Sequence, residues 1–573
     1  MEKLYKTPWE NFMGEVPMHL DYFQGMMVEK IEETAERYPN ICAINFMHSK
    51  FTFKELVEEI HKTAIAFQQL GLKEGDHVVI AMPNCPQGIF AFYAVNLIGG
   101  VAHMIHPLSA EKEILFYIND SQCKLVLTIN GFYRKFLPAI KEGKVKHFIL
   151  ANLRDVLNPV MKLGYQITTG RKIKRIPHDG SAMMWKDFIR LARGQGLIRA
   201  HKGKDDTAVV LYSGGTTGTP KGIALTNFNF NALGAQIIAT NPMFRVGDSM
   251  LAAMPLFHGF GLGVCIHSIL AGGGCDILVP RFTADTYSKL VIKYKCNFIA
   301  GVPTLYEALT RTKCMNHADL SCLKGVFSGG DSLSIELKKK FDAFLKDHNA
   351  SIQIREGYGT TECVTASCLT PLTKAKEGSI GIPFPDTLYR IVAPGSDDEV
   401  PYGQEGEIVL AGPTVMKEYT HNPEETADTL HKDKNGTIWL HTGDLGVMDE
   451  EGFIYFKGRI KRLIITSGYN VYPAQIENII EQHKAVQMSC VIGVPDAYRM
   501  HRVKAYVVLK KGYIPSDILK TSILNHCKKH IAKYAMPREI EFRDDLPKTL
   551  VGKVAYRQLE EEVLNSLKDK KQG

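Results

Sequence analysis

The segment AVVLYSGGTTGTPKGIALT constrains this chain more than any other. An apolar run long enough for one buried strand passes directly into Ser213, Gly214, Gly215, Thr216, Thr217, Gly218, Thr219, Pro220, Lys221 and Gly222. Glycines let the backbone approach phosphate oxygens, hydroxyls donate hydrogen bonds, and one lysine supplies charge, which is what a polyphosphate requires. The rival phosphate loop, GxxxxGK[ST], does not fit. Pro220 rather than glycine precedes Lys221, and Gly222 rather than serine or threonine follows it.

The surroundings of this loop predict an α/β protein. From about residue 25 to 150, amphipathic helices (near Phe53 to Leu70 and Gln87 to Ile98) alternate with short apolar strands such as HVVIAMP, the pattern of a mainly parallel sheet covered by helices. A second set of such units starts near Asp205, with strands at AVVLYS, MLAAMP, CDILVP, CNFIAGVP and GVFSGG. Between about Gly381 and Phe456 helices disappear, and GEIVLAG, TIWLHTGD and GFIYFKG suggest a small β subdomain. After Arg459 short strands and helices alternate, as in an α+β domain. At 573 residues the chain exceeds one ordinary core. The expectation is a large N-terminal domain, 1–458, of two parallel-sheet α/β subdomains (1–204 and 205–380) plus the β subdomain (381–458), joined by a hinge to a smaller α+β domain, 459–573. No Gly/Ser or Pro tract separates them, so a hinge is expected rather than a floppy linker.

Composition excludes several other classes. Hydrophobic residues at 45% and charged residues at 23% suit a globular protein, not collagen, a coiled coil or a disordered chain. The N-terminus, MEKLYKTPWENF, mixes charge with aromatics and has no apolar run of a secretory signal or membrane span, so a cytoplasmic protein is expected. Twelve cysteines without a CxxC pair argue against a disulfide framework or zinc cluster. A net charge of +8 is modest for this length and gives no indication of nucleic acid. Residues 151–178 concentrate Arg154, Lys162, Arg171, Lys172, Lys174 and Arg175 against Asp155, among apolar side chains including Val160, Met161, Leu163, Tyr165 and Ile173. Peripheral contact with an anionic membrane and a solvated basic loop are equally good readings of this stretch.

The glycine-rich string resembles the AMP-binding signature of the adenylate-forming superfamily, which includes acyl-CoA synthetases, adenylation domains and luciferases. The likeness continues in order through PLFHG (Pro255 to Gly259), FSGGDSL (Phe327 to Leu333), GYGTTE (Gly357 to Glu362), HTGDLG (His441 to Gly446), FKGRIKRLIITSGYNVYP (Phe456 to Pro473) and LPKTLVGKV (Leu546 to Val554). GGDSL alone would suggest the serine of a carrier protein's phosphopantetheine site. Placed between two nucleotide motifs, Ser332 belongs instead to a turn beside the adenine pocket.

The resemblance implies activation of a carboxylic acid by ATP, then transfer of the acyl group to a thiol. Attack of a carboxylate on the α-phosphate brings anions together, so such a site must supply positive charge and hold the nucleophile in line. By resemblance, Ser213, Thr216, Thr217, Gly218 and Lys221 hold the β- and γ-phosphates. Thr361 approaches the α-phosphate, and Glu362 offers carboxylate oxygen to Mg²⁺. Gly329, Gly330, Tyr358, Gly359 and Thr360 line the adenine pocket, while Asp444, supported by Arg459, accepts from both ribose hydroxyls. Lys553 is the implied adenylation lysine. The C-terminal domain then turns about Lys461, which stands where many relatives have aspartate, and brings Gly468 beside the adenylate, leaving room for the pantetheine arm of coenzyme A.

Amino-acid-activating members of the superfamily carry an aspartate just after the motif that reads PLFHG here, and it pairs with the substrate ammonium. This chain has His258-Gly259-Phe260-Gly261 with no acid, so the resemblance implies that an amino acid, whose buried ammonium would lack a partner, is disfavoured. His258 is expected to gate the acyl or thiol channel, with a packed core histidine as the alternative. FHGFGLGVCIHSILAGGG is small and apolar and suits an alkyl or fused-ring acid. The doubled glycine and the basic insertion near residue 171 look like long-chain fatty acyl-CoA ligases, whereas FKGRIKRLI departs from their IDRKK version. The expectation is therefore a medium- or long-chain fatty-acid:CoA ligase. Aryl or steroid-type acids, or an acyl-AMP ligase loading a carrier protein, are the alternatives.

Overall fold

The computed structural model describes residues 5–143, 145–168, 176, 180–213, 220–466, 469–496, 498–549 and 553–572. Two large sheets form its bulk. One has eight strands, in the order Glu418–Tyr419, Lys221–Thr226, Thr207–Ser213, Val101–Met104, His77–Ala81, Leu125–Ile129, His147–Ala151 and Met183–Met184. It is parallel from Thr207–Ser213 onward and antiparallel across the two strands before it. The other has nine: Ile382–Pro383, Cys368–Leu369, Ile354–Tyr358, Gly325–Ser328, Phe298–Gly301, Ser249–Ala252, Cys275–Leu278, Cys42–Phe46 and Ser49–Thr52, parallel except at its two edges. The central strands read as unbroken apolar runs because helices cover both faces.

The two sheets exchange strands across residue 205. Cys42–Phe46 and Ser49–Thr52 join the nine-stranded sheet, whereas Thr207–Ser213 and Lys221–Thr226 join the other. Helix Pro86–Leu97 explains how they are joined. PQGIFAFYAVNL is apolar around its whole circumference, and all twelve residues are buried. Phe92 packs near Phe230, with ring centroids 6.3 Å apart, and Tyr93 Oη lies 3.0 Å from His267 Nδ1. Its neighbour, Phe53–Gln69, begins with a reciprocal cap in which Thr52 Oγ1 accepts from Glu55 N and the Glu55 carboxylate accepts from Thr52 N.

A third, antiparallel sheet comprises Leu388–Val392, Glu405–Ala411, Ile438–Met448, Leu430–Lys432 and Ile454–Arg459. One element here differs from the sequence reading: helix Pro423–Thr429, capped by Asn422 accepting from Glu425 N, stands where no helix was expected. The C-terminal sheet is built on the long hairpin Val486–Asp496 and Met500–Leu509. Ile464–Thr466, Tyr469–Val471 and Glu539–Arg543 complete it. Helices Pro473–Glu481 and Asp517–Cys527 supply apolar side chains to one core, and Leu559 and Val563 of Tyr556–Gln572 supply another. Among the described residues no helix is long and apolar enough to cross a membrane.

Candidate active site

Six of the predicted site residues lie together where the C-terminal segment meets the nine-stranded sheet. There a cleft of about 560 Å³ is lined by Gly330, Tyr358, Gly359, Asp444, Arg459 and Lys553. Glycine is required at two of its walls. Gly330 has φ of +80°, and a Cβ there would stand 3.4 Å from Lys553 Cε and 3.8 Å from its Nζ. A Cβ on Gly359 would stand 2.5 Å from the Thr365 carbonyl oxygen. Gly329 follows the buried strand Gly325–Ser328 and donates its N–H to the Gly301 carbonyl.

Asp444 lies on strand Ile438–Met448, directly across from Arg459 on Ile454–Arg459. It is 2% exposed, and its Oδ2 accepts from Tyr358 Oη at 2.7 Å. Oδ1 is 3.2 Å from Arg459 Nε but outside hydrogen-bonding geometry, so among the described residues a buried carboxylate oxygen is left without a donor. Burial raises the Asp444 pKa, with the Arg459 charge acting against the rise. An acceptor of this kind, beside the flat Tyr358 ring, fits a ribose diol.

Lys553 reaches the cleft from the C-terminal segment. Its backbone N–H donates to Thr549 Oγ1 and its carbonyl accepts from Thr549 N, fixing the turn that carries it. Among the described residues no carboxylate lies within 4.0 Å of its Nζ, and desolvation lowers its pKa. His258 lies nearby, half-buried. Its Nδ1 accepts from Phe260 N at 3.2 Å, and burial, aided by the Lys553 charge, pushes its pKa down to about 3. The imidazole is therefore neutral.

In the eight-stranded sheet, Ser213 and Lys221 face each other across the hairpin Thr207–Ser213 and Lys221–Thr226. Thr216, Thr217 and Gly218, between them, lie outside the described residues, as does Gly468. The Lys221 ammonium pairs with the Glu425 carboxylate and stands 5.2 Å above the Tyr419 ring. Tyr419 Oη donates to Glu362 Oε1 at 2.9 Å. Thr360, Thr361 and Glu362 form the entry to a short helical turn, Thr361–Cys363, held by Met416 N donating to the Glu362 carbonyl. Glu362 Oε2 has no partner among the described residues, so the carboxylate can take a hard divalent cation such as Mg²⁺. The next two residues, Val364 and Thr365, both have left-handed backbones, φ of 53° and 75°. That conformation is costly for β-branched residues, and its cost falls at the site, as strain commonly does. Lys461 lies in the turn Ile460–Arg462, just after the Arg459 strand.

Sequence reasoning did not find Glu425, Tyr419 or Arg462. Arg462, also in the cleft, donates to Glu477 Oε1 at 2.6 Å. The first two lie in EYTHNPEET, where only the Asn422-Pro423 helix start carries a local signal.

Behind Gly329, Gly330 and Gly357 an apolar cavity runs away from the cleft, lined by Ile238, Phe244, Met250, Phe260, Val264 and Phe327 among others. Its floor includes the segment Phe260–His267, which winds as a π-helix in which Ser268 N donates to the Gly263 carbonyl, five residues back. The cleft that holds Asp444 and Lys553 thus adjoins an apolar cavity at Gly330 and Gly357.

Comparison with known proteins agrees with this geometry. The model of the AMP-binding enzyme family matches residues 31–420, and that of the AMP-binding enzyme C-terminal domain matches residues 475–553. The chain belongs to the AMP-binding enzyme family. It is 34% identical over 569 residues to a long-chain-fatty-acid–CoA ligase of Bacillus subtilis strain 168, covering 97% of this chain and 98% of that one. It is 32% identical over 577 residues to the enzyme of the same name from Escherichia coli O6:H1, covering 99% and 100%. Among solved structures, the anthranilate CoA ligase AuaEII in complex with anthranoyl-AMP superposes with a TM-score of 0.80 at 25% identity, covering 96% of this chain and 98% of that one. ATP-bound MatB from Rhodopseudomonas palustris superposes with a TM-score of 0.78 at 26% identity, covering 94% and 99%.

Proposed function

We propose that this family member is an AMP-forming acid:CoA ligase acting on medium- or long-chain fatty acids. The acid's carboxylate oxygen bonds to the α-phosphorus of ATP and pyrophosphate leaves. The thiolate sulfur of coenzyme A then bonds to the acyl carbon and AMP leaves. One observation carries the reading: Lys553 from the C-terminal segment lies against Gly330 at the mouth of an apolar tunnel, with an undonated Asp444 oxygen in the same cleft. In this reading the Lys553 ammonium bridges the acid's carboxylate and the α-phosphate, and Thr361 supports the latter. Asp444 and Arg459 hold the ribose, while Tyr358, Gly329, Gly330, Gly359 and Thr360 hold the adenine. Ser213, Thr216, Thr217, Gly218 and Lys221 receive the β- and γ-phosphates. Glu362 holds Mg²⁺, which when bound neutralises phosphate charge. Neutral His258 borders the acyl entrance without adding charge.

Incubation with ATP, coenzyme A and a panel of acids, followed by mass spectrometry, tests this. Acyl-CoA and AMP in equal amounts are expected. Absence of AMP with every acid would overturn the reading, and adenylate without thioester would favour carrier-protein loading. The proposed division, 1–458 and 459–573 turning about Lys461, has its own test. Lys553→Ala should strongly impair adenylation yet process a supplied acyl adenylate, and Gly468→Leu should do the reverse. Tyr469, beside Gly468, is exposed and stacks on Tyr534 at 4.4 Å, away from the cleft, which suits a second orientation.

Peripheral membrane contact is supported by helix Pro159–Thr168. Met161 and Tyr165 pack inward, while Val160, Leu163 and Ile167 are 80%, 66% and 52% exposed. Arg171, Lys172, Lys174 and Arg175, the adjoining cations, lie outside the described residues. Binding to vesicles containing phosphatidylserine, lost on Leu163→Asp, is the expected result.

A further inference from the structure

Arg355 is a buried cation that the ligase chemistry above does not use. It is 8% exposed and lies on strand Ile354–Tyr358, paired with Phe327 of the neighbouring strand. Alternation along a strand places Arg355 on the same face as Gly357, roughly 7 Å deeper, and both Gly357 and Phe327 line the apolar tunnel. The guanidinium carbon stands 5.9 Å from the Phe327 ring. Nε donates to the Thr370 carbonyl at 2.7 Å, and Nη1 donates to the Thr240 carbonyl at 3.0 Å and to Asn241 Oδ1 at 2.9 Å. Asn241 itself lines the tunnel. Among the described residues no acceptor faces Nη2 and no carboxylate lies within ion-pair distance. The adjacent Glu356 faces the other side of the sheet, accepting from Leu333 N. Carbonyls and an aromatic face offset part of the cost of burying a guanidinium, but its charge stays uncompensated.

A second cavity, of about 300 Å³, begins where the tunnel ends. Arg355 lines it, and Leu369 and Phe384 line both spaces. Those two side chains are thus a partition between the tunnel and a chamber whose wall contains Arg355. Glu15 is the one carboxylate bordering the chamber; it is exposed at the rim and makes no ion pair with Arg355. A chain too long for the narrow tunnel would, if those side chains give way, set its far end beside the guanidinium. A methyl group there would leave the charge unmatched. A carboxylate would match it, because guanidinium is weakly hydrated and presents a planar donor fork suited to that anion.

We propose that tunnel and chamber form one acyl path, and that Arg355 selects acids bearing a second carboxylate at the far end, the α,ω-dicarboxylic fatty acids. This rests on the acid:CoA ligase reading and names its substrate class. Arg355 is a specificity residue, remote from the reacting atoms, and its loss should leave adenylation chemistry intact.

The test compares kcat/KM for thioester formation with decanoic, dodecanoic and hexadecanoic acids and with their α,ω-diacids. Wild-type enzyme is expected to prefer the diacid at the lengths that reach the chamber. Arg355→Met should lower diacid kcat/KM by about ten- to a hundredfold while leaving or raising that of the monoacid. Arg355→Lys, which keeps the charge without the fork, should fall between the two. Should the Met variant fail to fold, the Lys variant and the wild-type ratio still decide. Wild-type enzyme that uses monoacids but discriminates against diacids at every length, or a diacid-to-monoacid ratio unchanged in a folded Arg355 variant, would overturn this inference alone. No thioester from either series would overturn the ligase reading beneath it.

Discussion

Lys221 and Lys553 come from the eight-stranded sheet and the C-terminal segment respectively, and their surroundings differ in kind. Lys221 begins a strand of the eight-stranded sheet, pairs with Glu425 and lies over Tyr419. Lys553 sits in a turn of the C-terminal segment with no carboxylate in ion-pair reach among the described residues, and burial lowers its pKa. The first has a resident anionic partner. The second has its charge held by whatever anion the cleft receives, so its stabilisation appears when substrate anions are bound. A cation arranged this way favours a transition state rather than the fold.

Removing the bare cation gives the largest expected effect. Lys553→Ala should lower kcat for adenylation on the order of a hundred- to a thousandfold, the usual cost of deleting a preorganised electrostatic group. The KM for ATP should change little. Because the lysine is desolvated without an ion-pair partner, the melting temperature should not fall. Steady-state kinetics beside a thermal melt check both halves, and a large fall in stability would contradict the contrast. Lys221→Ala should behave oppositely. KM for ATP should rise by about ten- to a hundredfold, the range for a lost charge-assisted hydrogen bond. Stability should also drop, because Glu425 is left unpaired.

The contrast also has a pH signature. A lysine loses its proton as pH rises, and burial that favours the neutral form moves that loss to lower pH. Adenylation should therefore decline about tenfold per pH unit above an inflection lying below the ordinary lysine value of about 10.4. Lys553→Arg should abolish that inflection, since guanidinium does not titrate in this range. His258, pushed down to about 3, should add no inflection near neutrality. A pH profile of pyrophosphate exchange measures all three.

The legible parts of this molecule are those whose signal is local. Apolar runs marked the parallel strands, and the motif strings included Gly330, Tyr358, Gly359, Asp444, Arg459 and Lys553, which line one cleft, because such strings keep particular groups within a few positions of each other. What escaped depends on distant segments meeting. The sheets exchange strands across residue 205 because Cys42–Phe46 finds its partner at Cys275–Leu278, a pairing with no trace in either sequence segment. Val364 and Thr365 adopt left-handed backbones that their β-branched side chains oppose, so propensity pointed elsewhere. Lys221 was readable as a phosphate ligand, but its partner lies 204 residues onward. Helix Pro423–Thr429, which presents that partner, was missed although Asn422, Pro423 and two glutamates form a recognisable helix start.

That partner supplies the smallest effect. Glu425 and Lys221 are each partly exposed, with side-chain exposures of 34% and 18%, so their pair is worth no more than about 1 kcal/mol. An arriving phosphate must compete with the Glu425 carboxylate for the same ammonium. Glu425→Gln keeps the side chain's size and removes the competing charge, so the KM for ATP should fall by up to roughly fivefold. Stability should decline by a comparably small free energy. The Lys553 pH inflection should stay in place, because Glu425 is not among the groups acting on that lysine. Added salt should shrink the difference between wild type and variant, since it screens a partly exposed pair. A KM that rose instead would mean Glu425 positions Lys221 for phosphate rather than competing with it, and the resident carboxylate would then be part of the nucleotide site.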